Sequence, residues 1–342
     1  MSDPDANPSD AAPDPIESAG PMTTSLLGRL FGVPLLIVVL IVGSVTLVVA
    51  GFGWIAAGEQ QSIDSLIKTL EAGGGEKKAF GMLAPKDKAY WQAAQELANR
   101  LKKADKELTA AQRTMVAQRL AQMITPDDAT GESAGEQERL TVRFLMMALA
   151  RLGDPAGIDV LLESTVSTHA DLRRTAATAL AEMRGVDGVE RAVPRLTRLV
   201  KDPEPDVRMV ACLALANIAR PTHAAAITAL TDALLDQRDV AWNAAIALGH
   251  LNSDKAIDML ASMLERSYWE GITDPSPQPN GDVRRRLSDL RVQSYLIAAM
   301  NAASHVDDPR LNELIADLQD DTDLKVSQAA RELVGKESEP AA

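Results

Sequence analysis

Helical stretches ending in a small–large–small triplet return along this chain at nearly constant intervals, and this return limits the fold more than any other feature. The copies are Ala148-Leu149-Ala150, Ala179-Leu180-Ala181, Ala214-Leu215-Ala216 and Ala247-Leu248-Gly249, with looser ones around Met300 and Leu333. Their central apolar residues lie 31, 35, 33, 52 and 33 positions apart. A period of this length marks stacked supersecondary units, none of which can hide its apolar face alone. The 52-residue interval exceeds its 33-residue neighbours by 19, so one unit carries an insertion.

Each unit has the same plan. Residues 206–219 read as a helix whose apolar positions cover more than one stripe, so that it must be covered on two sides. Asp206 is predicted to cap its N-terminus. Ala211, Ala214 and Ala216 permit close helix approach, while Val210, Leu213, Leu215 and Ile218 are expected to supply buried area. Turn residues such as Gly153-Asp154-Pro155, Pro221-Thr222, Asn252-Ser253-Asp254 and Asp308-Pro309 then precede a second helix, for example 225–235. The chain is 46% hydrophobic but only 3% aromatic, so the core must be aliphatic and the class all-α.

A helix pair of about 33 residues, without heptad register and with Asp171-Leu172-Arg173, Asp206-Val207-Arg208, Asp289-Leu290-Arg291 and a weaker Asp323-Leu324-Lys325 at helix starts, resembles the HEAT family. It is similar in particular to the short HEAT-like repeats named after the phycobilisome lyases. The resemblance covers residues 137–335 and implies a right-handed α-solenoid of about seven helix pairs. Asp239-Val240-Ala241-Trp242 has lost the Arg, and Leu140-Thr141-Val142-Arg143 has no Asp, so no continuous Asp–Arg ladder is expected. Residues 59–136 read as a less regular cap of three helices, around Ile63 to Leu70, Trp91 to Leu101 and Met115 to Met123. Residues 336–342 read as a disordered tail.

The N-terminal part is of a different kind. Residues 1–29 carry Asp3, Asp5, Asp10, Asp14 and Glu17 among Pro, Ser, Ala and Gly, a composition predicted to stay disordered. Residues 30–58 carry no charge and contain an apolar run at 33–57, longer than the roughly 20 residues that cross a bilayer as a helix. The long acidic stretch before it and the length of the run favour a retained anchor over a cleaved signal peptide. Gly51-x-Gly53-x-x-Ala56 superficially matches a dinucleotide-binding turn, but apolar character continues unbroken on both sides. Arg29 on one side against Lys68, Lys77 and Lys78 on the other tips the large domain toward the cytoplasm.

A formal charge of -13 argues against a general nucleic-acid binder, because phosphate affinity comes from basic clusters. One cysteine, Cys212, builds neither a disulfide nor a Cys-based zinc site, and its slot is filled by Ala245 in the next unit, as befits a small buried residue. His169, His223, His250 and His305 are scattered one per unit and read as surface or turn residues. Ser65-x-x-Lys68 lacks the partner motifs of penicillin-binding enzymes, and Gly73-Gly74-Gly75 lacks the Lys-Ser or Lys-Thr of a phosphate loop.

The insertion, residues 267–287, holds the best candidates for function. It joins Tyr268 and Trp269 to a Pro-rich stretch and then to Arg284, Arg285 and Arg286, and such residue types dominate binding hot spots. The alternative is that the two rings fold back into a neighbouring unit. Trp242, in the slot of Met209, and the polar Asn243 beside it are placed on the inner helix set, with core packing as the competing role for Trp242. The expectation is a membrane-anchored, non-catalytic scaffold without cofactor. It would bind a protein or extended peptide of basic character and touch lipid through residues 30–58. The alternative implied by the resemblance is a HEAT-like enzyme of the bilin lyase or DNA glycosylase type.

Overall fold

The computed structural model describes residues 62–73, 85–101, 108–124, 135–274 and 285–337. The predicted tail 1–29, the predicted span 30–58 and the Pro-rich stretch after Asp274 lie outside them. Among the described residues, no helix is long and apolar enough to cross a membrane.

Fifteen α-helices are described. Three precede the regular repeats: α1 (Ile63–Gly73), α2 (Pro85–Leu101) and α3 (Ala110–Met123). One layer of longer helices then comprises α4 (Glu136–Leu152), α6 (Ala170–Glu182), α8 (Pro205–Ile218), α10 (Arg238–His250), α13 (Asp289–Ala303) and α15 (Leu324–Glu337), each packed on the next. Shorter helices back this layer: α5 (Ile158–Ser164), α7 (Val193–Leu199), α9 (Ala224–Ala233), α11 (Ile257–Leu264) and α14 (Pro309–Asp317). The insertion adds α12 (Arg266–Glu270) and a two-stranded antiparallel ribbon that sequence reading missed, β1 (Thr273–Asp274) and β2 (Arg285–Arg286), with Thr273 opposite Arg286.

The periodic triplets do form the spine of the core. Leu149, Leu180, Leu215, Leu248 and Met300 are all fully buried between the two layers. Small residues beside them let helices close up, and Gly249 shows the limit: a Cβ there would lie 2.8 Å from the Ala302 carbonyl oxygen. At the end of α4 the chain reverses through Gly153, whose φ of 63° is a left-handed conformation that glycine adopts without strain. Cys212 is buried as expected, and burial pushes its thiol up to about 12, leaving it inert.

Several sequence expectations need correction. Leu213 is 38% exposed and Val210 only half-buried, because both face outward from the long-helix layer rather than inward. Asp206 does not cap α8: Glu204 is the N-cap without a side-chain bond, and Pro205 opens the helix. The Asp–Arg–like triplets at Asp289 and Asp323 are false copies. Leu290 and Leu324 are 70% and 75% exposed, whereas Val292 and Val326 take the buried place that Leu172 and Val207 hold in earlier repeats. Gln293 therefore occupies the Arg slot, and its amide nitrogen donates to both carboxylate oxygens of Asp323 at 2.9 and 2.7 Å.

An Asp–Arg ladder exists after all, in segments. Arg173 donates to Asp202 at 2.7 and 2.8 Å, and Arg208 to Asp236 at 2.7 and 2.8 Å, each reaching from one long helix to the turn before the next. Each guanidinium also donates to two carbonyls of its own preceding turn, those of Ser167 and Thr168 for Arg173 and of Asp202 and Pro203 for Arg208. Two-pronged Arg–carboxylate bonds of this kind fix orientation as well as adding energy. Ala241 breaks the series in α10, and Arg266 of α12 takes over, binding Asp321 before α15.

The ladder has a pH signature. The two bonds from Arg208 hold the Asp236 carboxyl below its ordinary value, while the same group in the unfolded chain titrates near ~3.9. A carboxyl depressed on folding stabilises the folded chain above its unfolded pKa and loses that contribution as pH falls through the folded one. Urea unfolding midpoints should therefore hold above about pH 4 and drop as pH falls below it, toward the lower folded-state value. Asp236→Asn should cost about 1 kcal/mol at pH 7 and flatten part of the drop.

Candidate functional site

A second, looser ladder lies on the outward face of the long helices. Arg143 of α4 approaches Asp171 of α6 at 4.0 Å, and Arg174 of α6 approaches Asp206 of α8 at 3.8 Å. The next rung is missing, since Met209 stands in α8 where α6 has Arg174, and Trp242 stands there in α10. Asp239 of α10 is met from the other side, by Arg291 of α13 at 2.8 Å. Where the rung is missing a cleft of about 490 Å³ opens. Met209, Val240 and Trp242 line its apolar side, Asp206, Asp239, Arg238 and Arg291 its rim, and Ile272, Thr273 and Leu287 of the insertion close one end.

Trp242 anchors the surroundings. It is 1% exposed and packs against Trp269 and Tyr295, with ring centroids 4.9 Å away in both cases. Its Nε1 donates to the Tyr268 hydroxyl at 2.9 Å, and Trp269 Nε1 donates to the Met263 carbonyl at 2.8 Å. Four of the seven Trp and Tyr residues of the chain thus meet at one junction, where α10 and α13 flank the insertion. Burial and the Asp239 carboxylate push the Tyr295 phenol up, so it stays a neutral donor, 3.4 Å from Asp239 Oδ1. Burial is the largest single influence on Arg291 and lowers it; the Asp239 charge together with the bonds to Tyr295 and Asp239 outweighs it and raises the guanidinium.

The sequence-predicted residues divide between these surroundings and the rim. Trp269 is buried and Tyr268 half-buried, folded back as the competing reading had it. Trp242 lines the cleft but spends most of its surface in the core. Asn243, a sequence candidate for binding, is 4% exposed, and its Nδ2 donates to the Asp239 carbonyl at 2.6 Å. Tyr295 of the next long helix also bonds the Asn243 side chain. Arg286 is exposed on the ribbon, Arg285 pairs through its backbone with Asp274, and Arg284 lies outside the described residues.

Residues that sequence reasoning did not single out complete the rim: Asp206, Met209, Arg238, Asp239 and Arg291. Arg238 Nη2 donates to the Thr273 carbonyl at 3.2 Å, tying the ribbon to the start of α10. The available signal was the substitution of Met209 for Arg174 one repeat earlier. A shallower groove of about 340 Å³ continues along α4, α6 and α8, over Leu140, Phe144, Met147 and Val210 with Arg143 and Arg174 beside them. Among the described residues, no three His, Cys, Asp or Glu side chains are grouped to hold a metal.

The comparison with protein families agrees with this geometry. The family model described as HEAT repeats matches residues 136–216, 169–241 and 196–272. No curated protein matches the chain. Crystal structures of two engineered proteins align at 19% and 17% identity, covering 79% and 82% of this chain and 95% and 79% of theirs, each with a TM-score of 0.40. Human deoxyhypusine hydroxylase in complex with glycerol aligns at 17% identity over 83% of this chain and 98% of its own, with a TM-score of 0.30. Likenesses this distant transfer neither ligand nor activity. The matched repeats, the two-layer packing and the ladder together show that this is a helical-repeat protein with HEAT repeats over residues 136–272.

Proposed function

We propose that this protein is a membrane-anchored, non-catalytic scaffold that holds a protein or extended peptide of basic character along the outward face of its long helices, centred on the cleft at Met209 and Trp242. The observation that carries the reading is the replacement of a ladder rung by apolar side chains. A passive array would gain from keeping Arg there, because the rung ties adjacent repeats together, whereas removing it leaves a cavity with apolar floor and charged rim. Asp206 and Asp239 on that rim, together with the net charge of -13, favour a partner carrying Lys or Arg. Anchoring rests on the uncharged residues 30–58, and the basic residues flanking them support a cytoplasmic repeat domain.

The test is photo-crosslinking in cells from a reactive residue placed at Asp206, in the rim, or at Thr228, exposed on the backing helix α9. The reading expects a discrete adduct from Asp206 and none from Thr228. Equal labelling from both sites would refute it. Alkaline extraction of membranes tests the anchor: the full chain should stay in the pellet, and a chain lacking residues 30–58 should not.

A further inference from the structure

Two histidines that lie 55 positions apart in sequence meet at the ends of adjacent long helices. His250 is in the last turn of α10 and His305 just beyond α13, with ring centroids 5.0 Å apart and planes at 68°. We propose that this pair is a binding site for a zinc-class divalent transition-metal ion, which staples the C-terminal ends of α10 and α13.

Three features carry the assignment. First, the spacing suits a shared ion: with Zn–N bonds of about 2.0 Å, imidazole centres stand about 3 Å from the metal, and a near-tetrahedral angle puts them about 5 Å apart. Second, His305 Nδ1 is 2.7 Å from the Asn301 carbonyl oxygen. A carbonyl only accepts, so Nδ1 carries the proton and Nε2 keeps its lone pair, the arrangement by which a backbone carbonyl orients a ligating imidazole. Third, His250 is half-buried and makes no side-chain hydrogen bond among the described residues, which leaves its ring available.

Imidazole pairs select zinc, nickel and copper over magnesium and calcium, which require oxygen ligands. The partial negative charge of two helix C-termini favours a cation there, and the exposed Arg184 opposes it. Water completes the coordination sphere, so affinity is that of a two-imidazole site, well below a four-ligand structural one. The site lies on the helices that flank the insertion, at the end opposite the cleft rim.

The test uses the full chain in detergent after chelator treatment, titrated with zinc chloride, and with magnesium chloride as control. Zinc should bind at one ion per chain and raise the melting temperature, and magnesium should do neither. His305→Asn, at an exposed position, should keep the helical circular dichroism and weaken zinc binding by about tenfold or more, the loss of one good ligand. A His169→Gln, His223→Gln double variant should bind as wild type. Zinc binding that survives His305→Asn, or no binding by the wild type, overturns the proposal. His250→Gln provides a second loss of ligand, with the same expectation, should the first variant fold poorly.

Discussion

Adding one methyl group at Gly249 is expected to separate the repeat array into two parts. The new Cβ would sit 2.8 Å from the Ala302 carbonyl oxygen and 2.9 Å from the Ala302 Cβ, so α10 and α13 must move apart. Alanine favours a helix interior over glycine by about 1 kcal/mol, while forcing an extra methyl into a closed backbone contact costs about 1–3 kcal/mol and here meets atoms that cannot rotate away. Steric cost wins, with a net loss of about 1–2 kcal/mol for Gly249→Ala and more for Gly249→Val. Because repeat arrays are held by nearest-neighbour interfaces, the loss should fall on one junction. Hydrogen exchange should show α13, α14 and α15 losing protection before α4 to α8, whereas wild type protects both sides alike. Uniform loss across the array would contradict this placement.

Truncating Trp242 to alanine carries the second large effect. The indole is 1% exposed and touches three other rings, so its removal leaves a large void in the aromatic junction. Such substitutions cost about 3–5 kcal/mol. Trp242→Phe keeps most of the volume but leaves the Tyr268 hydroxyl without its donor, for about 1 kcal/mol. The order Ala, Phe, wild type in thermal midpoint checks the assignment. If Trp242→Ala melted within about 1 kcal/mol of wild type, the indole would be no anchor. The insertion should follow Trp242, since Trp269 and Tyr268 rest on it: protease cleavage within 267–287 should accelerate in the Ala variant.

What the sequence made legible, and what it hid, have separate physical causes. Leu180, Leu215 and Leu248 were readable as core because a residue at the centre of a two-sided helix has no other place to go. Val210 and Leu213 were misread because a helix covered on two sides still has a third, and apolar periodicity does not label which one is open. The triplets at Asp289 and Asp323 misled because Asp, Leu and a basic residue recur by chance, and only burial places Val292 and Val326 in the packing position that Leu172 and Val207 hold in earlier repeats. Trp269 could be named as a candidate because aromatic residues are scarce, yet its inward fold depends on Met263 and Trp242, which no local pattern joins to it. The cleft was hidden for a similar reason. Asp206, Met209, Asp239 and Arg291 lie on three helices, and a missing rung is visible only once the neighbouring rungs, Arg143 with Asp171 and Arg174 with Asp206, have been placed.

The most direct measurement restores that rung. Met209→Arg puts back the side chain that α6 carries as Arg174, within reach of Asp239, and fills the cleft from a half-buried position at the edge of the core. With a photo-crosslinker at Arg238 on the rim, the scaffold reading predicts that this variant keeps the wild-type melting temperature and loses capture of the partner by about tenfold or more, the scale of a hot-spot lesion. Undiminished capture by a folded Met209→Arg chain would contradict it.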